Sequence, residues 1–110
     1  MLLQGKYVIV SGIGPGLGNK LASEVGPYGI RVNSLHPGWM WGETIKNAFR
    51  EALSEWGTPE EAYAQVAAGN ALRRLATDDE CARAGLFLAS DYASAITGAS
   101  LDANAGGFLP

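Results

Sequence analysis

Apolar residues follow two different patterns along this chain, and the change comes near residue 40. Lys6-Tyr7-Val8-Ile9-Val10 is a short block of β-branched and aromatic residues. It ends in Ser11-Gly12-Ile13-Gly14-Pro15-Gly16-Leu17-Gly18. An apolar run stopped by glycines predicts a strand buried on both faces, as parallel strands are. Helix-compatible sequence runs from near Gly16 through Val25, and Gly26-Pro27 ends it. Residues 30–36 alternate apolar positions and predict a second strand, after which Pro37-Gly38 turns the chain. The connection over residues 12–29 exceeds the ~10–12 residues that a crossover needs. A right-handed parallel β-α-β unit is the expected outcome.

Beyond residue 40 the spacing becomes helical. Ile45, Phe49, Ala52, Leu53 and Trp56 mark one apolar face. Thr58-Pro59-Glu60-Glu61 is a helix start, with Thr58 as cap, proline at the first position and glutamate three residues after the cap. Tyr63, Val66, Ala67 and Asn70 follow on one face. Thr77-Asp78-Asp79-Glu80 repeats the capping signal, and its helix runs through Ala84, Leu86, Phe87 and Leu88 to Ser90-Asp91. Residues 99–102 predict a short last strand. No repeat or linker interrupts the chain, so residues 1–110 are expected to form a single α/β domain.

Composition narrows the classes. With 47% hydrophobic and 17% charged residues in 110, a packed core is expected and disorder is not. The net charge of −3 argues against general nucleic-acid binding, which needs a basic face. The pair Arg73-Arg74 reads as a solvated helix end. Cys81 is the single cysteine, so no internal disulfide can form; it reads as a small core residue. His36, the single histidine, reads as a strand-end residue, and no metal site is expected. Asp78, Asp79 and Glu80 fill a first helical turn, where negative charge is favourable. Trp39, Trp41 and Trp56 are expected to pack a core or a subunit interface. No signal-peptide pattern opens the chain, and no apolar run reaches the ~20 residues of a membrane span. A soluble, cytoplasmic protein is the expectation.

The glycine loop carries the chemistry. Glycines after a strand let the backbone turn tightly and approach a ligand with no Cβ in the way. The following helix points its free N–H groups and positive dipole end at the loop, which favours a phosphate. The strand-before, helix-after setting is the one this fingerprint requires. The acidic residue that usually holds the ribose hydroxyls at the end of the second strand is missing, since that strand ends in Leu35-His36-Pro37.

Three segments together resemble the short-chain dehydrogenase/reductase family. Ser11-Gly12 through Gly16-Leu17-Gly18 is similar to that family's cofactor loop. Gly29-Ile30-Arg31-Val32-Asn33-Ser34-Leu35-His36-Pro37-Gly38 resembles its strand whose Pro-Gly turn lies beside the nicotinamide. Phe87-Leu88-Ala89-Ser90-Asp91, Ile96-Thr97-Gly98, Leu101-Asp102 and Gly106-Gly107 resemble its closing segment. The resemblance implies a reduced Rossmann-like three-layer fold with a small, mostly parallel sheet of about three strands, completed by a partner chain. It implies cofactor-binding positions at Gly12, Gly14, Gly16, Leu17, Gly18, Pro37 and Gly38, and NAD or NADP as the ligand.

The junction departs from the family. Residues 18–22 resemble its first helix and residues 23–29 the end of its sixth, where the family places a long stretch of chain. That stretch holds the ribose carboxylate, an Asn-Asn-Ala-Gly segment, a catalytic serine, and a tyrosine with a lysine four residues later. Four residues after Tyr7, Tyr28, Tyr63 and Tyr92 stand Ser11, Val32, Ala67 and Ile96. No catalytic residue is therefore carried over. The resemblance implies a weak nucleotide binder without dehydrogenase activity of its own. The alternatives are a non-catalytic assembly module and an oxidoreductase completed by another chain. With its usual neighbours absent, the first strand is expected to pair directly with residues 30–36. The exposed sheet edge that remains implies a two-fold dimer, through edge pairing or swapped elements.

Overall fold

The computed structural model describes residues 6–11, 15–51 and 57–109. Its elements are β1 (Tyr7–Ser11), α1 (Pro15–Val25), a 3-10 turn (Gly26–Tyr28), β2 (Arg31–Pro37), β3 (Met40–Trp41) and α2 (Glu43–Glu51). They continue with α3 (Pro59–Gly69), β4 (Ala76–Thr77), α4 (Asp78–Ala89), a 3-10 turn (Asp91–Ala93) and β5 (Ser100–Ala103). The α/β class and the small parallel sheet agree with the sequence pattern. Two compact units divide the chain, Met1–His36 with Ala82–Leu101 and Pro37–Cys81 with Asp102–Pro110.

In the first unit β1 pairs with β2 in parallel, with Tyr7 opposite Arg31, Val8 opposite Val32 and Ser11 opposite Leu35. The short crossover through α1 thus joins neighbouring strands, as its length requires. Strand order is β1-β2-β5. Gly98 donates its N–H to the Val32 carbonyl at 2.7 Å and Ser34 donates to Ala99 at 2.8 Å. The turn after α1 closes at Gly29, whose φ of 76° is left-handed and suits glycine. Ala22, Ile30 and Val32 form the buried centre, with Val8, Leu21 and Val25 packed against it. Those residues come from α1, β1 and the start of β2, so the helix covers one face of this strand pair.

A polar seam holds the closing segment to β2. Arg31, only 8% exposed, donates from Nη1 to the Ile96 carbonyl at 3.0 Å. Its Nη2 donates to the carbonyls of Leu88 at 2.8 Å, in the last turn of α4, and Ser90 at 3.2 Å, just beyond it. The Tyr7 ring centroid lies 4.1 Å from the guanidinium carbon. The Tyr7 hydroxyl donates to Asp91 Oδ1 at 2.7 Å, and that hydrogen bond holds the phenol above its usual pKa. Asn33 donates to Ile96 O at 3.0 Å and accepts from the Ala99 N–H at 3.1 Å.

The second unit is built on aromatic contacts. Trp41 meets Tyr63 edge-on, with centroids 4.8 Å apart. Phe49 of α2 lies 5.5 Å from Trp39 and 6.0 Å from Trp41. Trp41, half-buried, packs against Phe49 and Tyr63, whereas Trp39 meets Phe49 from an exposed position; Trp56, with Ala52 and Leu53, lies outside the described residues. β3 and β4 pair in parallel through Met40–Ala76 and Trp41–Thr77. The sequence pattern misses this ladder because two-residue strands have no periodicity to read.

Both predicted helix caps form. The Glu61 N–H donates to Thr58 Oγ1 at 3.2 Å. At α4 the box is reciprocal: Glu80 N–H donates to Thr77 Oγ1 at 3.2 Å and Thr77 N–H donates to Glu80 Oε1 at 3.1 Å. Arg74 keeps a solvent-exposed side chain, as its sequence setting suggests, and also pairs. Its two terminal nitrogens donate to the Glu80 carboxylate at 2.6 and 2.8 Å. Arg73 does sit at a helix end, donating to the Ala68 and Asn70 carbonyls. Cys81 is buried and its thiol donates to Ala103 O at 3.3 Å; burial pushes its pKa up.

The hydrogen bond from Arg74 and the N–H of Thr77 hold the Glu80 carboxyl at a pKa of about 2. A folded-state pKa below the unfolded one stabilises the fold above the ordinary value of 4.5, and that share is lost as pH falls toward 2. The stability gap between wild type and Glu80→Gln is therefore expected to narrow across that window. Urea unfolding at closely spaced pH values measures it. A gap that stays constant down to pH 2 would contradict the ionised pairing.

Candidate functional site

The strand-to-helix passage from β1 to α1 is where the glycine-rich segment stands. Gly12 and Gly14 lie outside the described residues. Gly16 and Leu17 occupy the first turn of α1 and are exposed, Leu17 at 61%. Gly18 in the next position is buried. Among the described residues a Cβ placed on Gly16 would meet nothing within 4 Å. No acidic residue stands in the first turn of α1. Its free N–H groups and the positive end of the helix dipole therefore face no carboxylate of their own turn. Electrostatically this is an anion-accepting terminus.

Pro37 and Gly38 belong to the second unit, whereas Gly16, Leu17 and Gly18 belong to the first. Pro37 is half-buried at the end of β2, and Gly38 is exposed. A Cβ on Gly38 would lie 2.7 Å from the Asn104 Cβ. The glycine at this turn thus answers a packing demand made by the closing segment.

Tyr7 is bonded to Asp91, Tyr63 accepts the Leu75 N–H at 3.2 Å, and Tyr28 and Tyr92 are exposed. Lys46 lies 5.3 Å from the centre of the Trp41 ring and 3.7 Å from Glu43. The described residues contain no group of three metal-ligating side chains, and no described helix is long and apolar enough to cross a membrane.

Sequence patterning did not anticipate the burial of Arg31 and Asn33. Both sit on the strand, where alternation alone assigns them to opposite roles from Val32. Asn70, placed by the sequence on one face with Val66 and Ala67, is buried as the cap that follows α3.

A family model described as enoyl-(acyl carrier protein) reductase matches residues 15–107. The peroxisomal 2,4-dienoyl-CoA reductase of Pongo abelii is 40% identical over 89 residues, which are 81% of this chain and 28% of the relative. A short-chain dehydrogenase family protein of Francisella tularensis superposes with a TM-score of 0.77 at 28% identity, over 84% of this chain and 39% of that one. L-sorbose reductase of Gluconobacter frateurii, solved with NADPH and L-sorbose, shares the fold with a TM-score of 0.84 at 20% identity, over 96% and 48%. The chain spans about a third of the length of the curated relatives it matches. Matched along most of its length, with a parallel β-α-β unit whose crossover begins in a glycine-rich sequence, the chain belongs to the short-chain dehydrogenase/reductase family.

Proposed function

We propose that the chain holds the phosphates of NAD or NADP weakly at the start of α1 and has no dehydrogenase activity of its own. The observation that carries this reading is the first turn of α1, with exposed Gly16, exposed Leu17 and no carboxylate in the turn. Weak binding follows from the sequence between Glu24 and Glu43, which has no acidic side chain to hold ribose hydroxyls. The same absence removes the usual discrimination between NAD and NADP. The lack of activity follows from the tyrosines, none of which has a lysine four residues on.

This reading makes residues 1–110 one reduced domain of the family, working in the cytoplasm. It also takes the chain as a two-fold dimer. Among the described residues β1 is the outer strand of its sheet, and exposed strand edges are covered or paired in stable assemblies.

Calorimetric titration with NADH, NADPH and AMP tests the ligand. Heat is expected from all three, with no hydride transfer to carbonyl substrates of the family. Absence of both heat and thermal shift at millimolar ligand would refute it. Sedimentation at micromolar protein tests the dimer, and a folded monomer would refute that part alone.

A further inference from the structure

We infer that a second copy of the chain completes the phosphate site. Lys6 of one copy reaches the start of α1 in the other, so nucleotide binding and dimerisation strengthen each other. This coupling rests on the phosphate site and the edge-paired dimer proposed above, and it names the residue that joins them.

Symmetry fixes the register. β1 runs over five residues, and among the described residues it pairs with β2 alone. Two copies of one strand joined edge to edge by a two-fold axis run antiparallel, with the axis perpendicular to the sheet. Such an axis keeps each face of the sheet on its own side. Residues directly opposite each other also point to one face, so the axis must pass through a residue and not between two. Placed at Ile9, it sets Tyr7 opposite Ser11 and pairs the whole of β1, which no other register does. One position further out, Lys6 stands beside the point where the partner's chain leaves β1 for α1.

Alternation fixes the face. Val8 and Val32 lie opposite each other in the β1–β2 ladder and pack with Ala22 of α1. Tyr7 and Arg31 meet on the other face, where Tyr7 bonds to Asp91. Lys6 has the parity of Val8 and so belongs to the α1 face. α1 runs back over that face from the end where β1 finishes, so its first turn and the partner's Lys6 share one end of one face. Lys6 is exposed and bound to no other side chain among the described residues, which leaves its ammonium available. The two Lys6 side chains stand at opposite ends of the paired strands, about 20 Å apart, and do not oppose each other. Each meets the positive end of a helix whose first turn has no carboxylate. An anion between them resolves that repulsion. A diphosphate fits both, one phosphate on the helix N–H groups and the other on the ammonium. Whatever dimerisation adds to nucleotide affinity, the nucleotide adds to dimer affinity.

Mixing two binding-deficient variants tests the arrangement. Lys6→Gln removes the ammonium at an exposed position, and Gly16→Asp blocks the start of α1. Alone, each is expected to bind NADPH roughly tenfold more weakly or worse in calorimetry, the share of a charge-assisted hydrogen bond. In a mixed dimer, α1 of the Lys6→Gln chain receives the intact Lys6 of the Gly16→Asp chain. Wild-type affinity is therefore expected to return at one of the two sites of each mixed dimer, whose formation native mass spectrometry confirms. Sedimentation gives the reciprocal reading. Saturating NADPH is expected to tighten the wild-type dimer roughly tenfold and to leave the Lys6→Gln dimer unchanged. Mixed dimers that recover no affinity, or Lys6→Gln binding as wild type does, would overturn the inference and leave the phosphate site standing. A wild type that stays monomeric with NADPH bound would do the same. A wild type that takes up no NADPH at millimolar ligand would overturn both.

Discussion

Replacing Arg31 with alanine is expected to destabilise the fold by about 3 kcal/mol, from the loss of charge-assisted hydrogen bonds to backbone carbonyls. Arg31 serves the carbonyls of Leu88, Ser90 and Ile96 at once, and all three lie where the chain leaves α4 for the closing segment. Alanine would take one donor from each carbonyl, leaving Ile96 O to Asn33 and Ser90 O to the Ala93 N–H, in a region where Arg31 itself is 8% exposed. Against a typical total stability of ~5–15 kcal/mol, such a loss takes a large share of the fold. The wild-type site already carries a cost, because Arg31 Nε is buried with no partner among the described residues. Lysine keeps the charge but lacks the planar fork, so Arg31→Lys is expected to recover less than half of the loss. Tyr7→Phe keeps the ring over the guanidinium and removes only the exposed bond to Asp91, so its effect is expected to be small by comparison. Urea unfolding followed by circular dichroism ranks the three. Equal effects of Arg31→Lys and Tyr7→Phe would contradict the forked arrangement.

Leu75→Ala is expected to cost about 2–5 kcal/mol, as for other fully buried leucines. Leu75 is 1% exposed and is among the largest fully buried side chains of the chain. Its neighbours are held by a hydrogen bond from its own N–H to Tyr63 and by the β3–β4 ladder beside it. A surrounding fixed in this way relaxes poorly around a cavity, which places the expected loss toward the upper part of that range. Leu75→Met conserves volume and is expected to cost less than ~1.5 kcal/mol. The difference between the two midpoints in urea is the measurement. A loss under 1 kcal/mol for Leu75→Ala would mean that the side chain is not buried as described.

The β-α-β unit was legible because its signals are local and strong. A β-branched run, a glycine stop, a helical stretch and a second apolar strand fix both the elements and the parallel pairing, once the connection is too short to skip a strand. The two capping sequences at Thr58 and Thr77 were legible for the same reason, since a cap is satisfied within three residues. Long-range polar contacts were not. Arg31 reaches residues 57 to 65 positions away, and nothing near it in the sequence names its acceptors. The pairing of the solvent-exposed Arg74 was not legible because its partner, Glu80, already had a capping role. That carboxylate performs both, with one oxygen shared between Arg74 and Thr77. At the candidate site, Gly16, Leu17 and Gly18 stand at the start of α1 as the motif implies. Gly38, which the resemblance makes a cofactor neighbour, also has a packing reason for its missing side chain at Asn104.

Gly16→Asp tests the functional account most directly, because it moves stability and binding in opposite directions. Among the described residues position 16 has room for a side chain, and it lies in the first turn of α1. An acidic residue there interacts favourably with the helix dipole, by ~0.3–1 kcal/mol, and aspartate removes the conformational freedom of glycine. The same carboxylate would occupy the anion-accepting end and repel a phosphate. Thermal unfolding and calorimetric titration of wild type and Gly16→Asp with NADPH and NADH give both readings. The account predicts a variant at least as stable as wild type whose nucleotide affinity falls at least tenfold. Unchanged nucleotide affinity in a folded Gly16→Asp variant would contradict it.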